Sequence, residues 1–179
     1  MITCTESSYK NLADFIPEIA DSFAEKDAIL FPKKMDSNGI SYESLNFREL
    51  NFEIQAYARG LKRIGIKKGM RVSFMVKPSL EFLPLTYALF KIGAVPVFID
   101  PGMGKKNLLR CIEASAPEAF IGIPRAQIAK ILFPSYFKTV KINVTIGRTW
   151  FWGGHSLKNL RDTANQLKLA MEIKNFIRD

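Results

Sequence analysis

The residues best suited to chemistry sit in one short run, Asp100-Pro101-Gly102-Met103-Gly104-Lys105-Lys106. Two glycines let successive backbone N–H groups turn toward one point, and a helix opening there adds the positive end of its dipole. With the Lys105 and Lys106 ammonium groups alongside, this is chemistry suited to a phosphate. Gly102, Gly104 and Lys105 are therefore the candidate cofactor-binding residues. The run lacks the third glycine of a dinucleotide fingerprint and the Gly-Lys-Ser/Thr ending of a P-loop. A plain strand-to-helix turn is the competing reading.

Other reactive types are isolated. His155 is the only histidine and follows two glycines. It offers no Ser-His-Asp or metal constellation and reads as a solvent-facing loop residue. Cys4 and Cys111 give neither a disulfide framework nor a zinc spacing, and read as buried or inert thiols in a reducing cytoplasm. Trp150-Phe151-Trp152 can line an acyl pocket or stack on a base, but such a cluster also serves as an interface or core plug. Glu49 and Glu53 have helix-surface spacing and read as solvated. No catalytic residue and no metal ligand emerges.

The elements around these residues follow from periodicity. Leu12, Phe15, Ile16, Ile19, Ala20 and Phe23 make one helical face, with Asn11 and Asp14 as a cap pair and Pro17 disturbing the start. Ala28–Phe31 reads as a short strand, 33–39 as a loop, and Ile40-Ser41-Tyr42 as a brief extended stretch. Asn46 and Glu49 form a capping box for a helix with Phe47, Leu50, Ile54, Tyr57, Ala58, Leu61 and Ile64 in its apolar series, ended by Gly65. Strands at Arg71–Val76, Val95–Ile99, Ala119–Ile123 and Val140–Ile146 then alternate with helices at Ser79–Ile92, Lys105–Ser115 and Arg125–Phe133. Gly93 stops the first of these helices. This alternation predicts an α/β fold, a mostly parallel sheet with helices on both faces. The Asp100–Lys106 run then lies at a strand's carboxyl end, where open α/β sheets bind ligands. Ser156 opens a final helical stretch reaching toward Ile177, with apolar residues on several faces.

Composition bounds the rest. The chain has 179 residues, 47% hydrophobic and 24% charged, a balance that supports a packed core rather than general disorder. The net charge of +9 is uneven. Residues 1–100 are nearly balanced, whereas 101–179 carry thirteen Lys and Arg against five Asp and Glu. That half can meet nucleotide phosphates, a coenzyme or an acidic membrane surface, or simply be a solvated basic face. No dense basic run or RNA-binding aromatic motif supports nucleic acid. The start has no basic segment followed by an apolar one, so no secretory signal is expected. Leu80–Ile99 imitates a membrane span, but Pro84, Lys91, Gly93 and Pro96 favour helix, stop and buried strand.

Four segments, taken in order, resemble a family. These are Ser41-Tyr42-Glu43-Ser44-Leu45, Ala58-Arg59-Gly60-Leu61, the stretch from Gly65 to Val72, and Leu89-Phe90-Lys91-Ile92-Gly93-Ala94-Val95-Pro96-Val97-Phe98-Ile99-Asp100-Pro101. They resemble the opening of acyl-CoA synthetases and other adenylate-forming enzymes, from about Asn11 to about Gly154. Asp100–Gly104, Glu118–Ala126 and Gly147–Gly154 are most similar to the fatty-acid-ligase-like branch of long-chain olefin biosynthesis, whose members form β-lactones from β-hydroxy acids. Met70 departs from the family's usual aspartate.

The resemblance implies residues 1–155 as the N-terminal α/β part of an AMP-binding domain and 156–179 as a helical tail. It implies ATP, Mg2+ and coenzyme A as cofactors of the full ligase and a long-chain carboxylic acid as substrate. The family's phosphate loop, similar to Thr-Ser-Gly-Thr-Thr-Gly-x-Pro-Lys-Gly, has no counterpart here, nor do its magnesium-binding glutamate, ribose-binding aspartate and catalytic lysine. The expectation is therefore a truncated ligase, inactive alone. Its exposed apolar surface would meet the missing C-terminal part or a second copy, with peripheral membrane contact as a further possibility. The alternative is a stand-alone acyl-binding or partner-docking module.

Overall fold

A computed structural model describes residues 11–36, 39–163 and 165–166. The elements are α1 (Ile16–Ser22), β1 (Asp27–Asp36), β2 (Gly39–Asn46), α2 (Phe47–Arg63), β3 (Arg71–Met75), α3 (Phe82–Ile92), β4 (Val95–Phe98), α4 (Lys105–Ser115), β5 (Ala119–Gly122), α5 (Pro124–Leu132), β6 (Ile142–Thr145) and β7 (His155–Ser156). Residues 157–163 are helical. The rest of the expected final helix, from 167 onward, lies outside the described residues, as does Cys4.

The central sheet has the order β4-β3-β5-β6-β7, with every pair parallel. The expected α/β architecture is thus present. Strand alternation divides the core. Val72, Phe74, Ala119, Ile121 and Val144 face α2 and α3, joined there by Leu157 and Leu160 of the last helical segment. Phe120 and Met75 face the opposite way, against Leu108, Leu109 and Ile112 of α4 and Ala126 of α5. Helices therefore cover both faces, as parallel sheets require.

Local chemistry explains the boundaries. The Asn46 side chain accepts the Glu49 N–H at 2.8 Å while the Glu49 carboxylate accepts the Asn46 N–H at 2.9 Å, so two orphan donors of α2 are satisfied reciprocally. Gly93, at φ 79°, ends α3 in the left-handed region and passes the chain into β4. The Asn11–Asp14 cap pair also forms, but on a 3-10 turn at Leu12–Asp14, and α1 begins only at Ile16 with Pro17 in its first turn. That turn moves the register. Ala13 is buried and Leu12 is exposed, against the single helical face expected there.

Two further expectations are corrected. Residues 33–36 are strand, not loop: β1 and β2 pair antiparallel from Asp27↔Asn46 to Asp36↔Gly39, with a register shift between Pro32 and Lys34. This two-stranded ribbon lies apart from the main sheet, so much of it faces water and apolar alternation is weak. β4 is an edge strand rather than a buried one, with Val95 and Phe98 about half exposed. Among the described residues, no helix is long and apolar enough to cross a membrane.

Candidate functional site

The site follows from the winding of the sheet. β3 is laid down first, the chain moves outward through α3 to β4, then crosses back through α4 to β5 and onward to β6. The connections leaving β3 and β5 therefore diverge, and a crevice opens between the carboxyl ends of these neighbours. An open cleft of about 760 Å³ occupies that crevice. Met75 and Ile99 form its floor. Leu108 and Leu109 of α4 make one wall, and Ile128, Ala129 and Leu132 of α5 the other. Its volume lies within the range of about 300–1,000 Å³ usual for small-molecule pockets.

Charge is confined to the rim. Lys77 follows β3, Lys105 opens α4 and Arg125 opens α5, and all three are exposed. Asp100 is the single carboxylate in the lining. The Lys105 ammonium lies 4.2 Å from the centre of the Phe133 ring, a cation–π contact that holds it over an apolar wall. On α5, partial burial lowers the Lys130 ammonium below its ordinary range. The arrangement is an apolar trough with three cations at its mouth, suited to a hydrocarbon chain carrying an anionic head.

The candidate nest is built from within. The Asp100 carboxylate accepts the Gly102 N–H at 2.7 Å and caps the 3-10 turn at Pro101–Met103. A Cβ added at Gly102 would stand 3.1 Å from the same carboxylate oxygen. Gly104, at φ 82°, turns the chain into α4, and its carbonyl accepts the Leu108 N–H at 3.0 Å. Gly102, Gly104 and Lys105 thus stand together, but a carboxylate takes the Gly102 donor and the Lys105 ammonium faces Phe133. The Gly102 donor is thus engaged within the turn, while the Lys105 ammonium stays exposed at the cleft mouth. Among the described residues, no group of three or more His, Cys, Asp or Glu is placed to hold a metal ion.

Several single residues sit differently from their sequence reading. Cys111 is exposed, which removes the buried alternative of its reading and leaves the inert one. Trp150 and Phe151 are each 70% exposed, so the aromatic cluster is not a core plug. Trp152 is half-buried, and its indole N–H donates to Thr145 Oγ1 at 3.0 Å. His155 is exposed on β7, as expected of a solvent-facing residue.

Glu53 is the largest correction. It is buried, not solvated, and the Arg161 guanidinium clamps it with two hydrogen bonds. Those bonds raise the Arg161 pKa further, against the opposing effect of burial. Burial, reinforced by the Glu53 charge, pushes the neighbouring Tyr57 phenol well above its ordinary value. The signal for Glu53 was its place three residues after Leu50 and one before Ile54, within the apolar stripe.

Comparison with known proteins agrees with this fold. A sequence model described as AMP-binding enzyme matches residues 17–159. The chain is 40% identical over 153 residues to the olefin beta-lactone synthetase of Stenotrophomonas maltophilia, covering 84% of this chain and 28% of that protein. It is 41% identical over 157 residues to the olefin beta-lactone synthetase of Xanthomonas campestris, covering 86% and 28%. The chain therefore spans little more than a quarter of the length of these relatives. The crystal structure of an anthranilate CoA ligase in complex with anthranoyl-AMP superposes with a TM-score of 0.74 over 88% of this chain and 29% of the ligase, at 18% identity, which supports the fold.

Proposed function

Because the chain belongs to the AMP-binding enzyme family, we propose that it is the N-terminal part of an ATP-dependent ligase that activates a long-chain carboxylic acid as its acyl-adenylate. In this reading the next step is β-lactone closure, as the names of the relatives suggest, or transfer to coenzyme A. The observation that carries the reading is the apolar cleft at the carboxyl ends of β3 and β5. It supplies room for a hydrocarbon chain, and Lys77, Lys105 and Arg125 supply counter-charge for a carboxylate at its mouth. ATP and Mg2+ serve the whole ligase, and this chain's own share is to seat and orient the acid.

The chain alone is inactive in this account, because no run similar to the family's phosphate loop occurs in the 179 residues and the Gly102 donor is already taken. Fatty-acid-dependent exchange of labelled pyrophosphate into ATP tests this. The purified chain is expected to show no exchange above background, and acid-dependent exchange would overturn the assignment.

A second reading, a non-catalytic acyl-binding module, is supported by the apolar lining of the cleft. Such a module binds the acid as tightly alone as when joined to further sequence, whereas a ligase part binds it more tightly once the rest of a ligase is joined to it.

A further inference from the structure

The loop between β6 and β7 presents a surface that the ligase reading does not use. Residues 146–154 leave the carboxyl end of β6 and return to pair Val144 with His155 and Thr145 with Ser156. The base of the loop is fixed. Trp152 donates to Thr145, the Asn143 amide donates to the Gly153 carbonyl at 3.4 Å, and a Cβ at Gly154 would stand 2.6 Å from the Asn143 carbonyl oxygen. The tip is bare. Trp150 and Phe151 are each 70% exposed and meet edge to face with ring centres 5.4 Å apart. Two large aromatic side chains held in water on a braced base are costly unless something covers them.

The charge around the tip indicates what covers it. Arg148 is exposed within the loop, and Lys77, Lys105, Lys106 and Arg125 are exposed on the other turns at the same end of the sheet. The carboxylates in these turns are Asp100, which caps its own turn, and Glu81. Indole and phenyl rings favour the boundary between hydrocarbon and water, and clustered cations favour an anionic surface. We propose that this end of the molecule docks on an anionic lipid surface, with Trp150 and Phe151 entering the headgroup boundary and Arg148 pairing with lipid phosphates. The proposal shares Lys77, Lys105 and Arg125 with the mouth of the cleft, whereas Arg148, Trp150 and Phe151 lie outside the cleft lining.

Both tryptophans of the chain lie in this loop, so intrinsic fluorescence reports it directly. The 179-residue chain is floated with vesicles of phosphatidylglycerol and phosphatidylcholine in equal parts, and with phosphatidylcholine alone. Flotation is expected with the anionic vesicles only, with tryptophan emission moving to the blue and shielded from acrylamide. High salt should weaken it, since exposed charges are screened within about 10 Å at 0.1 M ionic strength. The F151S variant keeps Trp150 as reporter, and with W150S it tests the tip. Each should weaken partition by about tenfold, given the apolar area removed. R148E should weaken it while leaving circular dichroism unchanged. Absence of flotation overturns the proposal, as does flotation without a fluorescence change or with undiminished strength in both tip variants. A loop that drives self-association instead, seen as an earlier elution lost in F151S without vesicle binding, overturns it too.

Discussion

Arg161 Nε donates to Glu53 Oε2 at 2.6 Å while Nη2 donates to the other carboxylate oxygen, a two-pronged clamp between residues 108 positions apart. It joins the last helical segment to α2, beside a small crevice lined by Tyr57, Leu80 and Pro84. Leu157 and Leu160 pack into the main core on the same side.

Removing the arginine strands a buried carboxylate. R161A is expected to cost about 2 kcal/mol, less than the roughly 3–5 kcal/mol of a fully buried pair, because the Arg161 side chain is 39% exposed and water can enter. Urea unfolding at neutral pH measures it. The double variant E53Q/R161M should be less destabilised than R161A alone, since no charge is then left unpaired.

The Tyr57 phenol has a sign that can be worked out. Its folded pKa is raised above the unfolded value of about 10. Its contribution to stability is therefore fully present below that value and is lost as pH rises from there through the folded pKa. The melting temperature of the wild type should fall above about pH 10. In Y57F that alkaline fall should be shallower.

Gly60 tests the closeness of α2 to the last helical segment. A Cβ there would stand 2.8 Å from the Leu160 carbonyl oxygen, a backbone atom. Helix propensity alone makes G60A stabilising by about 1 kcal/mol. The clash is expected to win and make it destabilising by about 1–3 kcal/mol, read from chemical denaturation.

Ala129 tests the cleft. It lies on the α5 wall, half-buried, where a larger side chain projects into the trough. A129W is expected to weaken binding of a fluorescent long-chain polyene acid by about tenfold, through loss of the volume and apolar contact the acid needs. Unchanged melting would separate this from unfolding.

Much of this was legible from residue types alone. The Asn46–Glu49 box, the Gly93 stop and the alternating short strands are local signals, and local hydrogen bonding and sterics enforce them. What was hidden depended on distant partners. The burial of Glu53 requires Arg161, which no spacing within α2 reveals. Residues 33–36 of β1 follow Pro32 with Lys33 and Lys34 and lie beyond the part of the ribbon where Ile29 joins the core, so their pattern did not read as strand. The Gly102 nest looked open because residue types alone do not show that the Asp100 carboxylate takes the Gly102 N–H. The aromatic run at Trp150 kept its meaning open until its exposure was seen.

The central claim is that the cleft between α4 and α5 seats a long acyl chain with its carboxylate at the cationic mouth. A backbone amide NMR titration of the chain with a long-chain β-hydroxy acid tests this most directly. The account predicts saturable shifts clustered at Val76, Lys77, Lys105, Leu109 and Ala129, all in the cleft lining. Shifts confined to another part of the molecule, or none at saturating acid, would contradict it.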